Sequence, residues 1–159
     1  MLFERPPNAY SAVRGIHIGV DRIVNIASIK DAENCRSFVV FDTETTGLYP
    51  WRDKIIEIGA VRFRDGEPVE TFHSMADPEM HIPEMVTQIN RISDDMVAGA
   101  PTANEVMAAF DEFVGADDIV GHNIDFDLRF IKSAGSNLPD NNRKYYDTAE
   151  LARQQGLVA

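Results

Sequence analysis

The sequence predicts an α/β fold: a five-stranded mixed sheet whose second strand runs antiparallel, with helices on both faces. Three observations point there. Ser37 to Thr43 is a nearly continuous apolar run that ends in acids and a turn, the pattern of a strand buried on both faces. Two further β-branched runs flank the Asp65-Gly66 pair, a tight-turn dipeptide that joins antiparallel strands. Beyond residue 100, helix-period stretches alternate with short strand-like ones, as in a parallel crossover.

The elements follow in order. Trp51-Arg52-Asp53 makes a turn, Lys54 to Arg64 a second strand, and Pro68 to Met75 a third. Glu84 to Ile89 reads as a short helical turn. Thr102 is a good N-cap with Glu105 three residues on, and Val106, Ala109, Phe110 and Phe113 form one apolar face of the helix that follows. Asp117 to His122 is a short strand parallel to the first. Asn123 caps the next helix, whose apolar face carries Ile124, Leu128 and Ile131 and which stops at Gly135. Arg143 to Thr148 supplies a fifth strand and Ala149 to Gln155 begins a last helix. The segment 1–34 reads as an accessory segment, with Val13 to Ile29 as a strand pair or a strand and a short helix, ahead of a single domain over 35–159.

Composition narrows the function. At 159 residues and 44% apolar, the chain is long enough to bury a core. No apolar run approaches membrane-spanning length, and the start has neither a basic segment nor an apolar signal core. The expectation is a cytoplasmic protein with no membrane partner. Cys35 is the single cysteine, which excludes an internal disulfide or a cysteine zinc site and reads as a small buried side chain. The net charge is −11, and residues 1–34 contribute nothing to it, since Arg5, Arg14, Arg22 and Lys30 balance Glu4, Asp21, Asp31 and Glu33. So acidic a domain lacks the basic stripe of a nucleic-acid coat protein. An enzyme that meets phosphate through bound cations remains compatible.

The chemistry concentrates at the end of the first strand. Asp42 and Glu44 are two apart, so they share a face. Paired acids at such a place repel unless a cation holds them, and oxygen-only ligands on short side chains suit Mg²⁺ or Mn²⁺. Gly47, in the turn beyond, reads as a residue chosen for a positive φ. The second signal is His122-Asn123-Ile124-Asp125-Phe126-Asp127. Asp127 falls in the first turn of its helix, where the macrodipole favours a carboxylate.

The run Asp42-Thr43-Glu44-Thr45-Thr46-Gly47-Leu48 resembles the first motif of the DEDDh exonucleases, the family of the proofreading subunit of bacterial DNA polymerase III. His122-Asn123 followed by Phe126-Asp127 resembles its second motif, and the likeness runs over about residues 37–155. It implies an RNase H-like fold and metal-dependent 3′-to-5′ removal of nucleotides from single-stranded DNA ends beside a replicative polymerase. The alternatives are short RNA as substrate and a non-catalytic nucleic-acid or polymerase-binding module. Two divalent ions would be held by Asp42, Glu44 and Asp127, with Asp42 bridging and Glu44 orienting the attacking water; such pairs stand roughly 3.5 to 4 Å apart. Thr43, Thr45, Leu48, Asn123 and Phe126 would lie around the terminal nucleotide, Leu48 as an apolar wedge. Asp125 fills a variable position of the motif and reads as a solvated acid at the helix N-terminus. Glu84 resembles an acid near the terminal hydroxyl, although it also reads as surface.

Two departures stand out. Asn90-Arg91-Ile92 puts a long cation where the family often has Gly, and Arg91 is expected on the surface. The family's third motif, a general-base His followed by a fourth metal-binding Asp, has no match after Tyr146-Asp147-Thr148 and before Ala159. His17, His73 and His81 read as surface or packing residues. The expectation for this 159-residue chain is therefore an exonuclease domain without its C-terminal part, impaired or inactive, with self-association through the apolar surface so left.

Overall fold

The computed structural model describes residues 22–140 and 142–157. Of the segment Val13 to Ile29, expected as a strand pair or a strand and a short helix, residues 13–21 fall outside them, and 22–28 carry only an isolated bridge at Ile26. The described chain forms α1 (Ile29–Glu33), β1 (Ser37–Thr45), β2 (Ile55–Arg64), β3 (Glu67–Met75), α2 (Glu84–Asn90), α3 (Asp94–Val97), α4 (Ala103–Val114), β4 (Asp118–Gly121), α5 (Ile124–Ser133), β5 (Tyr145–Asp147) and α6 (Thr148–Gln154). The strand order is β3-β2-β1-β4-β5. β2 is antiparallel to β1 and β3, while β4 is parallel to β1 and β5 to β4. This is the expected five-stranded mixed sheet.

The main core lies on the sheet face that carries Val39 and Phe41 of β1, Ile58 and Ala60 of β2 and Ile119 of β4. Val106, Met107 and Phe110 of α4 and Leu128 and Ile131 of α5 close over them. Each such side chain contributes roughly 1.5 to 3 kcal/mol by leaving water. The helix that brings Phe110 inward starts as its sequence says, with a reciprocal Thr102–Glu105 capping box.

Burial along β1 alternates instead of covering both faces. Val39, Phe41, Thr43 and Thr45 are buried, whereas Phe38, Val40, Asp42 and Glu44 are half-buried. The second face is more thinly covered. On it Phe38 stacks with Phe63 across the β1–β2 pair at 5.3 Å, and α1 lies over its β5 end, where the Tyr146 hydroxyl reaches the Asp31 carbonyl at 3.4 Å. A register shift at Glu44/Thr45 sends the adjacent Ile55 and Ile56 into different clusters. Ile56 meets Ile82, Ile92 and Val97, which anchors α2 and α3. The sequence pattern gave no sign of α3, four residues long and held by that cluster.

The two sheet edges differ. β3 is exposed along most of its length and carries Glu67, Pro68 and Glu70 there. The β5 edge is bridged in parallel by Ile26, with Ala27 N–H donating to the Tyr145 carbonyl at 2.7 Å. Cys35, expected buried, is half-buried at the entry to β1, its thiol 3.7 Å from the Ser37 carbonyl.

At the start of α1, Asp31 Oδ2 accepts from Ser28 N–H at 3.0 Å and Ser28 Oγ at 2.9 Å, and Lys144 Nζ stands 3.1 Å from Oδ1. The Ser28 backbone bond, with Lys144 next, lowers the Asp31 pKa from 3.8 to about 2. The folded chain thus binds this proton less tightly than the unfolded one. The contribution to stability is whole above about pH 4 and is lost as the pH falls towards about 2. Melting curves of Asp31→Asn and the parent chain should differ at neutral pH and converge near pH 2.

Candidate metal centre

β1 delivers Asp42 and Glu44 to its thinly covered face, paired in register with Gly59 and Glu57 of β2. Gly59 leaves open space beside Asp42. Glu44 faces Glu57 directly across the strands, an arrangement of like charges that destabilises a sheet unless something of opposite sign offsets it. Glu57 is buried and has His73 Nε2 at 3.1 Å from Oε1, so this histidine, expected as a surface or packing residue, partners an acid beside the site.

Asp127 approaches the same end of β1 from α5, on the core side that Thr43 shares with Val39 and Phe41. It is fully buried, 0% exposed, and accepts a hydrogen bond from the Thr43 hydroxyl. Thr43 stands between Asp42 and Glu44 in sequence, so this bond fixes the α5 N-terminus against the acid-bearing end of β1. Asp42 Oδ2 and Asp127 Oδ2 are both shielded from solvent. Among the described residues, no three His, Cys, Asp or Glu side chains stand gathered as a ready-made ligand cage. The donor set nevertheless fits a hard divalent cation: oxygen-only, on short side chains, partly withdrawn from water, and already costly to hold together without positive charge.

Asn123 occupies the N-cap of α5 as expected, but its side chain makes no capping bond. Its backbone is left-handed, φ 54°, and its N–H donates to Asp147 Oδ1 at 2.9 Å. The same oxygen accepts from Ala149 N–H at 3.0 Å. One buried aspartate therefore starts both α5 and α6, a role that sequence reading missed because its partner lies 24 residues away. Asp125 is also corrected. It is half-buried rather than solvated, and burial pushes its carboxyl above the usual range against the opposing pull of Arg22 and Arg129.

The loop after β1 is built around Asp53, which is buried. Asp53 accepts from Tyr49 N–H at 3.0 Å and from the Thr46 hydroxyl at 3.4 Å. Thr45 is buried and donates to the Gly47 carbonyl at 2.6 Å. Gly47 does not have the positive φ its turn position suggested. It is glycine because a Cβ there would lie 2.4 to 2.7 Å from the Asp53 carboxylate. Leu48 follows, half-buried. Phe126 packs on the core and against Phe130, ring centroids 4.9 Å apart. Glu84 and Arg91 are both exposed, Arg91 in the left-handed conformation that ends α2. A separate groove of about 640 Å³, lined by Phe72, His73, Pro101 and Glu105 among others, runs between β3 and α4 and does not include the acids of β1.

The fold and the acids on it define an RNase H-like nuclease scaffold. Residues 39–155 match the family model described as Exonuclease, and the chain belongs to that family. It is 47% identical over 120 residues to the DNA polymerase III PolC-type of Clostridium perfringens, covering 73% of this chain and 8% of that protein. The chain thus spans less than a tenth of the length of such relatives. Among solved structures, it is similar to exonuclease X in complex with 5′ overhanging duplex DNA, with a TM-score of 0.60, 30% identity, and coverage of 74% of this chain and 63% of that one. The fold also matches exonuclease I from Methylocaldum szegediense, at a TM-score of 0.67 and 20% identity, over 76% of this chain and 29% of that one. Among the described residues, no helix is long and apolar enough to cross a membrane.

Proposed function

We propose that this chain belongs to the nuclease unit of a replicative DNA polymerase, built to remove nucleotides in the 3′-to-5′ direction from single-stranded DNA ends. These 159 residues, with no match to the family's general-base His and fourth Asp, are an impaired form of it. The observation that supports this reading is the hydrogen bond from Thr43 to Asp127, which ties the third acid to the strand end that carries the other two. Asp42, Glu44 and Asp127 would hold two Mg²⁺ or Mn²⁺ ions, with Asp42 shared between them. When bound, the cations supply Lewis acidity and positive charge at the phosphodiester. The chain's own residues do the rest. Thr43 fixes the Asp127 rotamer, and the N-terminal end of α5 favours the negative charge there. The Asp53-centred loop sets Leu48 beside the terminal base, and Asn123 and Phe126 shape the other wall. The paired acids would repel the scissile phosphate itself where no cation lies between them. This work belongs in the cytoplasm, beside the polymerase, and residues 35–159 would carry it, with 1–34 accessory.

The test is direct. Incubation with 5′-labelled single-stranded DNA and Mg²⁺ or Mn²⁺ should give at most a slow ladder shortening from the 3′ end, weak for want of the general base, and EDTA should abolish it. A parallel RNA substrate separates the oligoribonucleotide alternative. Mn²⁺ binding that needs Asp42, Glu44 and Asp127 would support the nuclease reading, and no bound ion at millimolar Mn²⁺ would instead support a non-catalytic binding module.

A further inference from the structure

The loop that leaves the acid-bearing strand ends in an aromatic cluster that the fold does not use. Trp51 is 74% exposed. Its ring contacts Tyr49, centroids 4.9 Å apart, and the Arg52 guanidinium lies 4.8 Å from the Tyr49 ring centroid. Exposed tryptophan is costly in water and adds nothing to this core. Nor is the exposure a sign of a slack loop. Arg52 and Asp53 N–H both donate to the Tyr49 carbonyl, at 3.0 and 2.7 Å, and Asp53 accepts from Tyr49 N–H. Ser133 Oγ, at the far end of α5, donates to the Pro50 carbonyl at 2.7 Å. Arg52 is held in turn by Asp53 Oδ2 at 3.5 Å. The cluster is a rigid, solvent-facing aromatic platform with a cation at its side.

Its position gives it a ligand. Ser133 is six residues beyond Asp127 on α5, about 9 Å along the helix axis, so the same helix that carries Asp127 at its start holds the platform's turn at its end. We infer that Trp51, backed by Tyr49 and flanked by Arg52, stacks a base of the single strand entering the candidate site. An open indole face offers sequence-tolerant stacking, and Arg52 offers a phosphate contact where the surrounding chain is acidic. This rests on the nuclease reading for its substrate, but the platform itself can be tested without catalysis.

Trp51 is the chain's single tryptophan, so its emission reports on this position alone. Titration of the full chain with oligothymidylate in EDTA should quench it saturably. Trp51→Ala should bind labelled oligothymidylate about tenfold more weakly, Trp51→Phe should retain most of the affinity, and both should melt like the parent. Oligouridylate and oligodeoxyuridylate differ only in the 2′-hydroxyl: equal quenching would make the platform indifferent to the sugar, and weaker quenching by the ribo form would make it a reader of DNA; both support stacking. Unchanged emission, unchanged binding by Trp51→Ala, or equal quenching by inorganic phosphate alone would overturn it. A chain that quenches but binds no Mn²⁺ keeps the platform and loses only the nuclease reading.

Discussion

Asp127→Asn should fold and melt close to the parent chain yet lose at least about a hundredfold of its metal-supported nuclease activity. The substitution keeps the shape of the side chain and leaves an oxygen to accept from the Thr43 hydroxyl. What it removes is the negative charge at a fully buried position. Loss of one electrostatic contact at a reacting phosphoryl group typically costs 10²- to 10³-fold. The check is the rate of 3′-end shortening of labelled DNA, read with Mn²⁺ affinity by calorimetry and a thermal melt. Thr43→Val supplies the contrast. It keeps the charge and removes the hydroxyl that orients it, so activity should fall by a smaller factor with Mn²⁺ affinity less affected. Equal turnover in Asp127→Asn and the parent would remove this acid from the site.

Gly47→Ala should destabilise the chain by about 3 kcal/mol and lower its melting temperature by roughly 10 °C. The added methyl would meet all three carboxylate atoms of Asp53 at 2.4 to 2.7 Å. Asp53 cannot swing away cheaply. It is buried and accepts from Tyr49 N–H and the Thr46 hydroxyl, so displacement leaves those donors unmet. Differential scanning calorimetry checks the figure. Double substitution with Asp53→Ala, which removes the obstacle and the bonds together, should cost little more than Asp53→Ala alone. A Gly47→Ala chain that melts like the parent would mean that the loop relaxes freely.

Sequence was most legible where partners are close along the chain. The Thr102–Glu105 box and the Asp65-Gly66 turn each depend on a few consecutive residues and stand as read, and Asp42 and Glu44 do share one face of β1. Gly47 was assigned to the right loop for the wrong reason, because the atom that excludes a side chain belongs to Asp53. The Asp147 cap of α5 and the Thr43–Asp127 bond span 24 and 84 residues, and no periodicity encodes such contacts. β1 was misjudged because its apolar composition suits burial on both faces, whereas the elements that pack on it cover one face far better than the other. The helix α3 is too short to leave a pattern and exists through Ile92 and Val97 meeting Ile56.

The exposed strand β3 governs how copies of this protein meet in concentrated solution. Among the described residues no strand pairs with the outer edge of this nine-residue strand, and such an edge is an open template for intermolecular sheet growth. Here the template carries a proline, which offers no N–H, flanked by Glu67 and Glu70. Two such edges brought together would set acid against acid on molecules already strongly negative. Low salt should therefore keep the protein dispersed, and added salt, by screening those charges, should be the condition under which fibrillar or edge-paired material first forms.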